Sequence, residues 1–598
     1  MSIVPLKKVT ICGLAREKGV VLAHLQTLGC MHLLPLKAAP AEIEKVASPH
    51  AADATKALQF LTAVPPRRKQ VRRDPDFDVA DFVGDVTALR DALRDARDRR
   101  DFLQNRIAGV EPWGDIEFPP HASLAGYRLW FYEVPVKHLD SLQDIDIPWQ
   151  IVRRDHRVAY AILISKDEPS DTLLPVRRTH TGALPLRELR AQLEETEIEI
   201  EDLLGQRQAL TRYIYLLSRN MAEAENRAAL AHAEQQVLAD DALIAVQGWV
   251  PTEAIPQLEA YAGENGLACL VEDPEPDEIP PTLVDQPEGM EAGTDLTMFY
   301  QVPNYRAWDP TWILSASFAV FFAMILADAG YGLVLLAGLM LFWGRLGTTP
   351  RARGYRLLGL ALFGTTIAYG VMVGSYFGFS PPPDGFLSRL HLFSVDDFDT
   401  MMRLSIVIGV LHIGFANAMA AYAKRHRRSA LSNLGWIAGL VGGLWLWLAP
   451  EAGLPTAPGF VLLALAVVLI VGFSSDRPIR KPTDQAWRLL DGVQSLAGMM
   501  GAFGDVLSYM RLFALGLASA SLAITFNDLA RDAVAALPGL GLLAGGLILL
   551  IGHALNLGLS LMSGVVHGLR LNFIEFYKWG LPEEGTAFRA FARKEVEL

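Results

Sequence analysis

The sequence predicts a chain of two unlike halves: N-terminal α/β lobes joined by an antiparallel coiled coil, then an all-α polytopic membrane domain of about eight helices, the last two long and tilted. Three observations carry this. The 598 residues are 51% apolar and 20% charged, too charged to lie wholly in a bilayer and too apolar to be wholly soluble. Runs apolar and long enough to span a membrane recur from Trp312 to Tyr577 and are missing from the first 300 residues. Within that first half, two stretches repeat apolar residues at alternating steps of three and four, the signature of a helical seam.

The first lobe opens with strand-like Ile3–Leu14, helix-like Val20–Leu28 and strand-like Cys30–Leu34. It is assigned residues 1–80, completed by 236–272, where Ala245–Pro251 reads as a strand and turn. The outgoing seam, 81–112, runs through Phe82, Val86, Leu89, Leu93, Ala96, Arg100, Leu103 and Ile107. A distal α/β lobe, 113–184, follows, with strand-like Tyr127–Val134 and Val158–Ile164. The returning seam, 185–235, runs from Leu186 through Leu193, Ile200 and Leu210 to Leu217. A globular insertion between two seams reads as a chain that goes out on one helix and back on the other. Residues 273–310 are assigned to a Pro-rich tether, whose acidic, proline-rich stretch from Glu272 to Pro281 cannot form a helix.

No cleavable leader is expected at Met1–Thr10, so the first half is assigned to the cytoplasm. Cys12, Cys30 and Cys269 suit neither a metal site nor a disulfide framework and read as buried small apolar residues in a reducing compartment. No cofactor or metal is expected. A net charge of −12 speaks against nucleic acid as a partner.

In the membrane domain, 311–580, basic loops set the topology. Reading Thr311–Trp343 as a hairpin broken at Asp328-Ala-Gly330-Tyr-Gly332 puts the arginines 345, 351 and 353, the cluster Lys424–Arg428 and the loop Arg477–Lys481 on the cytoplasmic side. The loop with Asp384, Asp396, Asp397 and Asp399 then lies outside. The expected spans are 311–327, 329–344, 356–379, 403–422, 430–449, 459–474, 489–529 and 540–577, with both termini and the tail 581–598 cytoplasmic. At 1.5 Å per residue the last two would run roughly 55 to 60 Å against a core of ~30 Å, so they must tilt, protrude or bend.

Arg511 stands near the middle of the apolar run Val493–Ile524. An ionised group there costs at least ~2.5 kcal/mol, and an arginine cannot shed its proton to escape it. It must face a polar cavity or an opposing carboxylate, for which Asp505 is the alternative within the same run. The final span carries a polar ladder, His553, Asn556, Ser560, Ser563, His567 and Arg570, on one stripe of an otherwise apolar helix. The preceding span carries a looser stripe, Asp491, Gln494, Asp505 and Ser508, leading from the cytoplasmic end toward Arg511. Two incomplete polar paths meeting near one arginine are what offset half-channels would look like.

These residues lie in stretches that resemble a known family. Ser508-Tyr-Met-Arg511-Leu-Phe-Ala-Leu, His567-Gly-Leu-Arg570-Leu-Asn-Phe-Ile-Glu575-Phe, Asp328-Ala-Gly-Tyr-Gly332, Gly374-Ser-Tyr-Phe-Gly378, Gly248-Trp-Val-Pro251 and Pro280-Pro-Thr282 are similar to signature stretches of subunit a, also called subunit I, of vacuolar/archaeal-type rotary ATPases. The resemblance runs from the first strand to the C-terminus. It implies a soluble arm that binds the peripheral stalk subunits E and G and the central-rotor subunit, and two long tilted helices against a ring of c (proteolipid) subunits in membrane lipid. It implies an ion gate of Arg511 and Arg570 facing the ring carboxylate, with Glu575 among the half-channel groups. Where some members carry a carboxylate this chain has Ser560, which shifts the expected outer relay to His553 and His567 with water. Short extramembrane loops point to a prokaryotic member in the inner membrane.

The rival class, a secondary transporter or channel regulated by a coiled coil, would show repeated halves with matching broken helices, which the sequence does not display. A Gly-x-x-x-x-Gly-Lys-Ser/Thr loop occurs nowhere in the chain, so ATP is expected to be handled by partners.

Overall fold

A computed structural model describes residues 3–37, 49–64, 67–116, 125–143, 145–170, 173–174, 176, 178–179, 184–240, 242–287, 289–382, 385–394, 397–477, 481–536, 539–581 and 583–596. Asp384, Asp396 and residues 478–480, used above for topology, lie outside the described residues. In chain order the first half contains β1 (Leu6–Leu14), α1 (Lys18–Leu28), β2 (His32–Leu34), α2 (Pro49–Thr62), α3 (Val79–Val110), β3 (Arg128–Pro135), β4 (Trp149–Arg154), β5 (Val158–Ser165), β6 (Arg178–Thr179), α4 (Leu186–Leu210), α5 (Ile214–Gln236), β7 (Leu238–Ala239), β8 (Leu243–Pro251), α6 (Ile255–Glu264) and β9 (Ala268–Glu272). The second half is helical: α7 (Glu291–Tyr300), α8 (Thr311–Leu326), α9 (Ala329–Leu341), α10 (Pro350–Val373), α11 (Phe398–Ala423), α12 (Ala430–Leu448), α13 (Ala457–Phe473), α14 (Pro482–Leu496), α15 (Gly498–Leu507), α16 (Met510–Ala536), α17 (Gly541–Arg570), a π-helical turn Leu571–Phe576 and α18 (Tyr577–Gly580). Two compact units result, one of Met1–Glu17, Cys30–Leu34 and Leu238–Phe591, the other of Lys18–Gly29, Pro35–Val237 and Ala592–Leu598.

In the second of these units α3 and α4 pack along the apolar seam, with Leu103 and Val110 against Leu186 and Leu189, and Leu93 and Ala96 against Ile200. The early residues of one helix thus meet the late residues of the other, an antiparallel pair. Helix α2, expected in the proximal lobe, instead adds Ala54, Ala57 and Leu61 to Phe82, Val86, Ile214 and Leu217. Its three- and four-residue spacing makes one stripe that fits those side chains. The returning segment, expected as one helix, is two, α4 and α5, separated by a 3₁₀ turn at Thr211–Tyr213. Gln70 takes up polar groups released there, its amide donating to Thr211 O at 2.8 Å and accepting from Tyr215 N at 3.0 Å. The distal sheet has the order β4-β5-β3-β6, with Trp113 edge-on to Phe131 and Tyr160. In the same unit Asn226 clamps the backbone of Lys594, accepting from its N–H at 2.8 Å and donating to its carbonyl at 3.1 Å.

In the other unit the proximal sheet has the order β2-β8-β1-β9, with β7 also on β8. Strand β1 pairs antiparallel with β8 from Leu6↔Pro251 to Leu14↔Leu243, which brings residues some 240 positions apart into one sheet. A Cβ at Gly248 would fall 2.5 Å from His32 O, so the Gly-Trp-Val-Pro stretch needs its glycine for close packing on β2. The tether is tied down: Thr282 is buried, its N–H donating to Thr586 O and its hydroxyl to Pro303 O, while Arg306 donates to Pro276 O.

The C-terminal tail returns to β2, where Phe591 N donates to Met31 O at 2.7 Å and Arg589 N to His32 Nδ1 at 2.9 Å. Burial pushes the His32 imidazole below its ordinary range, with the Arg589 charge acting the same way. A base whose folded value is lowered contributes stability that is complete above its unfolded value of about 6.5 and is lost as pH falls through and below it. The protection factor of the Arg589 amide against hydrogen exchange is therefore expected to drop severalfold between pH 7.5 and 5.5, and His32→Phe to remove that dependence.

Among the described residues, five helical segments are long and apolar enough to cross a membrane: Arg351–Val373, Phe398–Ala423, Ala430–Leu448, Thr483–Ala536 and Gly541–Gly580. Shorter apolar helices occupy Thr311–Leu326, Ala329–Leu341 and Ala457–Phe473. The two longest expected spans are not straight single helices. The first is α14, α15 and α16 in succession, changing at Ala497 and at Ser508–Tyr509, in a stretch weakened by Gly498, Gly501 and Gly504. The second passes from α17 into the π turn Leu571–Phe576.

Candidate ion-path site

The site starts from a helix break. Helix α8 ends at Ala327, in the left-handed region (φ 47°), and Asp328 caps α9 by accepting from Tyr331 N at 2.9 Å. The same buried carboxylate accepts from Ser375 Oγ at 2.7 Å and Gly378 N at 3.0 Å. The two glycine-containing stretches picked out by sequence are thus halves of one knot. Phe377 also adopts a left-handed conformation (φ 54°), and its ring lies 2.5 Å from where a Cβ at Gly330 would be.

That knot sets Tyr331 against the ladder of α17. Asn556 Nδ2 donates to Tyr331 Oη at 3.0 Å, and Tyr331 Oη lies 2.7 Å from His553 Nδ1. His553 Nε2 lies 3.0 Å from Asn527 Oδ1, while Asn527 Nδ2 donates to Phe377 O at 2.8 Å. Because Asn527 Oδ1 can only accept, Nε2 carries the proton and Nδ1 accepts from the tyrosine, so the neutral imidazole satisfies every direction in the chain. Ser560 Oγ donates to Ser519 Oγ at 2.8 Å, and Asn556 also donates to Ser519 O at 2.9 Å. His553, Asn556 and Ser560 therefore face α16 and α9, not lipid.

The lower part of the ladder meets Arg511. Arg511, in the first turn of α16, is within electrostatic reach of Arg570 and Glu575, and His567 is within reach of both arginines. Ser563 stands one turn before His567 on the same helix. The π turn, with its wider register, brings Glu575 inward, where it is 2% exposed and lies against the Ser508 hydroxyl. Asn572 anchors the turn, its amide donating to Gly568 O at 3.1 Å and its carbonyl accepting from Ser317 Oγ at 2.6 Å. Arg511 Nη1, His567 Nδ1 and Glu575 Oε2 are buried and have no hydrogen-bond partner among the described residues. A guanidinium and a carboxyl left with free hydrogen-bonding capacity in an apolar setting are poised to take a polar group from elsewhere. Arg570 is exposed at the C-terminal end of α17.

Other candidates lie elsewhere. Asp505 does not serve as counter-ion to Arg511; it accepts from Lys578 Nζ at 2.7 Å and Trp579 Nε1 at 2.8 Å. Asp491 is engaged by Arg477 Nε at 2.9 Å and Ser475 Oγ at 2.8 Å, and Gln494 is exposed. Sequence reasoning missed Tyr509, fully buried, and His412, half-buried, with His412 Nδ1 2.7 Å from Tyr509 Oη and the imidazole stacked on Phe576 at 4.3 Å. A histidine inside the apolar run of α11 was the available signal. Among the described residues no group of three or more His, Cys, Asp or Glu could hold a metal ion.

No protein-family model matches the chain. It is 26% identical to V-type ATP synthase subunit I of Chlamydia pneumoniae over 602 residues, 86% of each chain. It is 24% identical to V-type ATP synthase subunit I of Borreliella burgdorferi over 621 residues, 99% of each chain. Against A-type ATP synthase subunit I of Methanocaldococcus jannaschii it is 28% identical over 390 residues, 58% of this chain and 54% of the relative. With an N-terminal α/β region and a C-terminal half of apolar helices, the chain is similar over most of its length to a subunit of prokaryotic rotary ATP synthases. Within that class the proteins it is similar to are subunit I of V-type and A-type ATP synthases.

Proposed function

We propose that the chain is the membrane stator of a rotary ATPase and that Arg511 is its ion gate, facing a carboxylate on a ring of c subunits, with Arg570 beside it. The observation that carries this reading is the placement of Arg511. Its Nη1 lacks a partner among the described residues, and it begins a stripe of small, outward-facing residues on α16, Ala514, Ala518 and Ser521. Small residues let a second helix approach closely in a membrane, bringing its carboxylate to the guanidinium.

A nearby guanidinium favours the ionised carboxylate, so an arriving protonated ring site loses its ion before passing and is reloaded on the other side. The fixed cation between the paths blocks a direct leak. In this reading Ser508 and Glu575 line one half-channel at its inner end, with Asp491, Gln494 and Asp505 at its approach, while Ser563 and His567 belong to the outer path. The hydrogen-bonded chain through Ser560, Asn556 and His553 forms the other, with Tyr331 and Asn527 as further members. The unit containing α3 and α4 is the arm, taking the peripheral stalk subunits E and G and the central-rotor subunit. Nucleotide is bound by partners, and both termini are cytoplasmic.

Disulfide trapping tests the ring contact: Ala518→Cys in the intact complex is expected to cross-link to a cysteine one turn from the ring carboxylate, and failure there with cross-linking at Phe460→Cys would overturn the reading. Arg570→Ala is expected to slow ATP-driven acidification of inverted vesicles by about tenfold without abolishing it, since Arg570 is exposed at a helix end. Sodium uptake in the same vesicles distinguishes H⁺ from Na⁺ as the ion.

A further inference from the structure

Helices α11, α12, α13, α15 and the start of α16 enclose an apolar groove of about 630 Å³ that the ion path does not use. Its floor is buried Val410, Ile470 and Val506, and its rim carries the exposed Val467 and Phe503. Along α12 it runs from Trp436 to Trp447, eleven residue steps. That is ~16 Å at 1.5 Å per residue, about half of a ~30 Å hydrocarbon core, so the groove has the depth of one leaflet. Gly443 opens it further, since a Cβ there would meet nothing within 4 Å.

The dimensions choose the occupant. A single hydrocarbon chain fits, in a lining whose walls supply only apolar contacts. At the groove end marked by Met402 and Trp447, Arg403 pairs with Glu451 at 2.5 Å, joining α11 to the segment after α12. A guanidinium has five N–H donors, and one carboxylate leaves some of them free for a phosphate. Trp447 stands at the same end, where aromatic side chains mark the membrane–water boundary. We infer that the groove holds one acyl chain of a phospholipid from the leaflet at the α12–α13 end, with Arg403 contacting its phosphate. The lipid would wedge between the α12–α13 hairpin and α15, the helix that leads to Arg511. The inference rests on these helices spanning a membrane and is independent of the gate assigned to Arg511.

The test uses the intact complex in vesicles of phosphatidylethanolamine and phosphatidylglycerol, doped with phosphatidylethanolamine carrying a diazirine on one acyl chain. Photolysis is expected to label Val410, Leu440 and Val506 on the groove wall. Gly443→Phe should lower that labelling by about fivefold or more. Should Gly443→Phe fail to assemble, Val467→Trp blocks the groove from the facing helix, and Phe503→Ala, which widens the rim, should keep or raise the labelling. Arg403→Gln should reduce labelling by the phospholipid probe while leaving a diazirine diacylglycerol, which lacks phosphate, unaffected. Wall labelling no greater than at the outward Phe460 and Val468, or unchanged in both blocking variants, overturns the site. Equal response of both probes to Arg403→Gln overturns the phosphate contact, and a cross-link to a peptide of another subunit would show a protein occupant instead.

Discussion

Arg511→Ala is expected to abolish ATP-driven acidification while leaving the chain folded and associated with its partner subunits. The guanidinium is not what holds Asp505, the carboxylate in its own run, which accepts from Lys578 and Trp579 instead. Removing a cation from an apolar setting relieves a desolvation penalty as well as deleting a charge, so stability should change little or rise. Transport is different, because a ring site that no longer meets a positive charge has nothing to hold its carboxylate ionised between the two paths. Arg511→Lys should also lose most activity, since a lysine can shed its proton in such a place and cannot present a two-pronged contact. The measurement is dye-monitored acidification of inverted vesicles, with assembly checked by co-purification. Normal pumping by an assembled Arg511→Ala complex would make this arginine a structural charge and end the gate reading.

The second large effect is expected at Asp328. Asp328→Ala deletes a helix cap and leaves Ser375 Oγ and Gly378 N without their acceptor, inside a turn where Ala327 and Phe377 already hold left-handed backbone. Lost caps cost about 1 kcal/mol and each orphaned buried donor about 1–3 kcal/mol, so a loss of about 3–7 kcal/mol is expected. At 2–4 °C per kcal/mol this lowers the midpoint of thermal unfolding in detergent by about 10 °C or more. Asp328→Asn keeps an acceptor oxygen for part of the set and should recover part of the loss. Tyr331 follows the cap, so Asp328→Ala should also weaken transport by loosening the Tyr331–His553 contact. A variant that unfolds normally would show that the turn holds itself without the carboxylate.

The division into an α/β-containing first half and an apolar helical second half was legible because it depends on composition over long windows. Arg511 and the α17 ladder were legible for a related reason: charge and polarity on an apolar helix stand out whatever they touch. What those groups touch was not. Lys578 and Asp505 are 73 positions apart and Tyr331 and His553 are 222 apart, so nothing local distinguishes a ladder facing water from one engaged by a neighbouring helix. The break at Asp328 could be seen, but not that Ser375 and Gly378 close it. The π turn left no trace either, because a helix that changes period for one turn has the same residue types as one that does not. Helix α2 was misplaced since its short stripe of Ala54, Ala57 and Leu61 would suit a lobe or a helical pair equally.

The tail bears on how such a chain is made. Met31 and His32 leave the ribosome among the first residues, yet Phe591 and Arg589, which complete their hydrogen bonding, leave among the last. Asn226 likewise waits for Lys594. Both partners must therefore stand open while every membrane helix is being inserted, and long-range contacts of this kind close late. The segment Arg589–Lys594 thus acts as a late seal, engaging only after α18 has been synthesised, so that a product truncated after α18 would keep its membrane helices and lack these bonds.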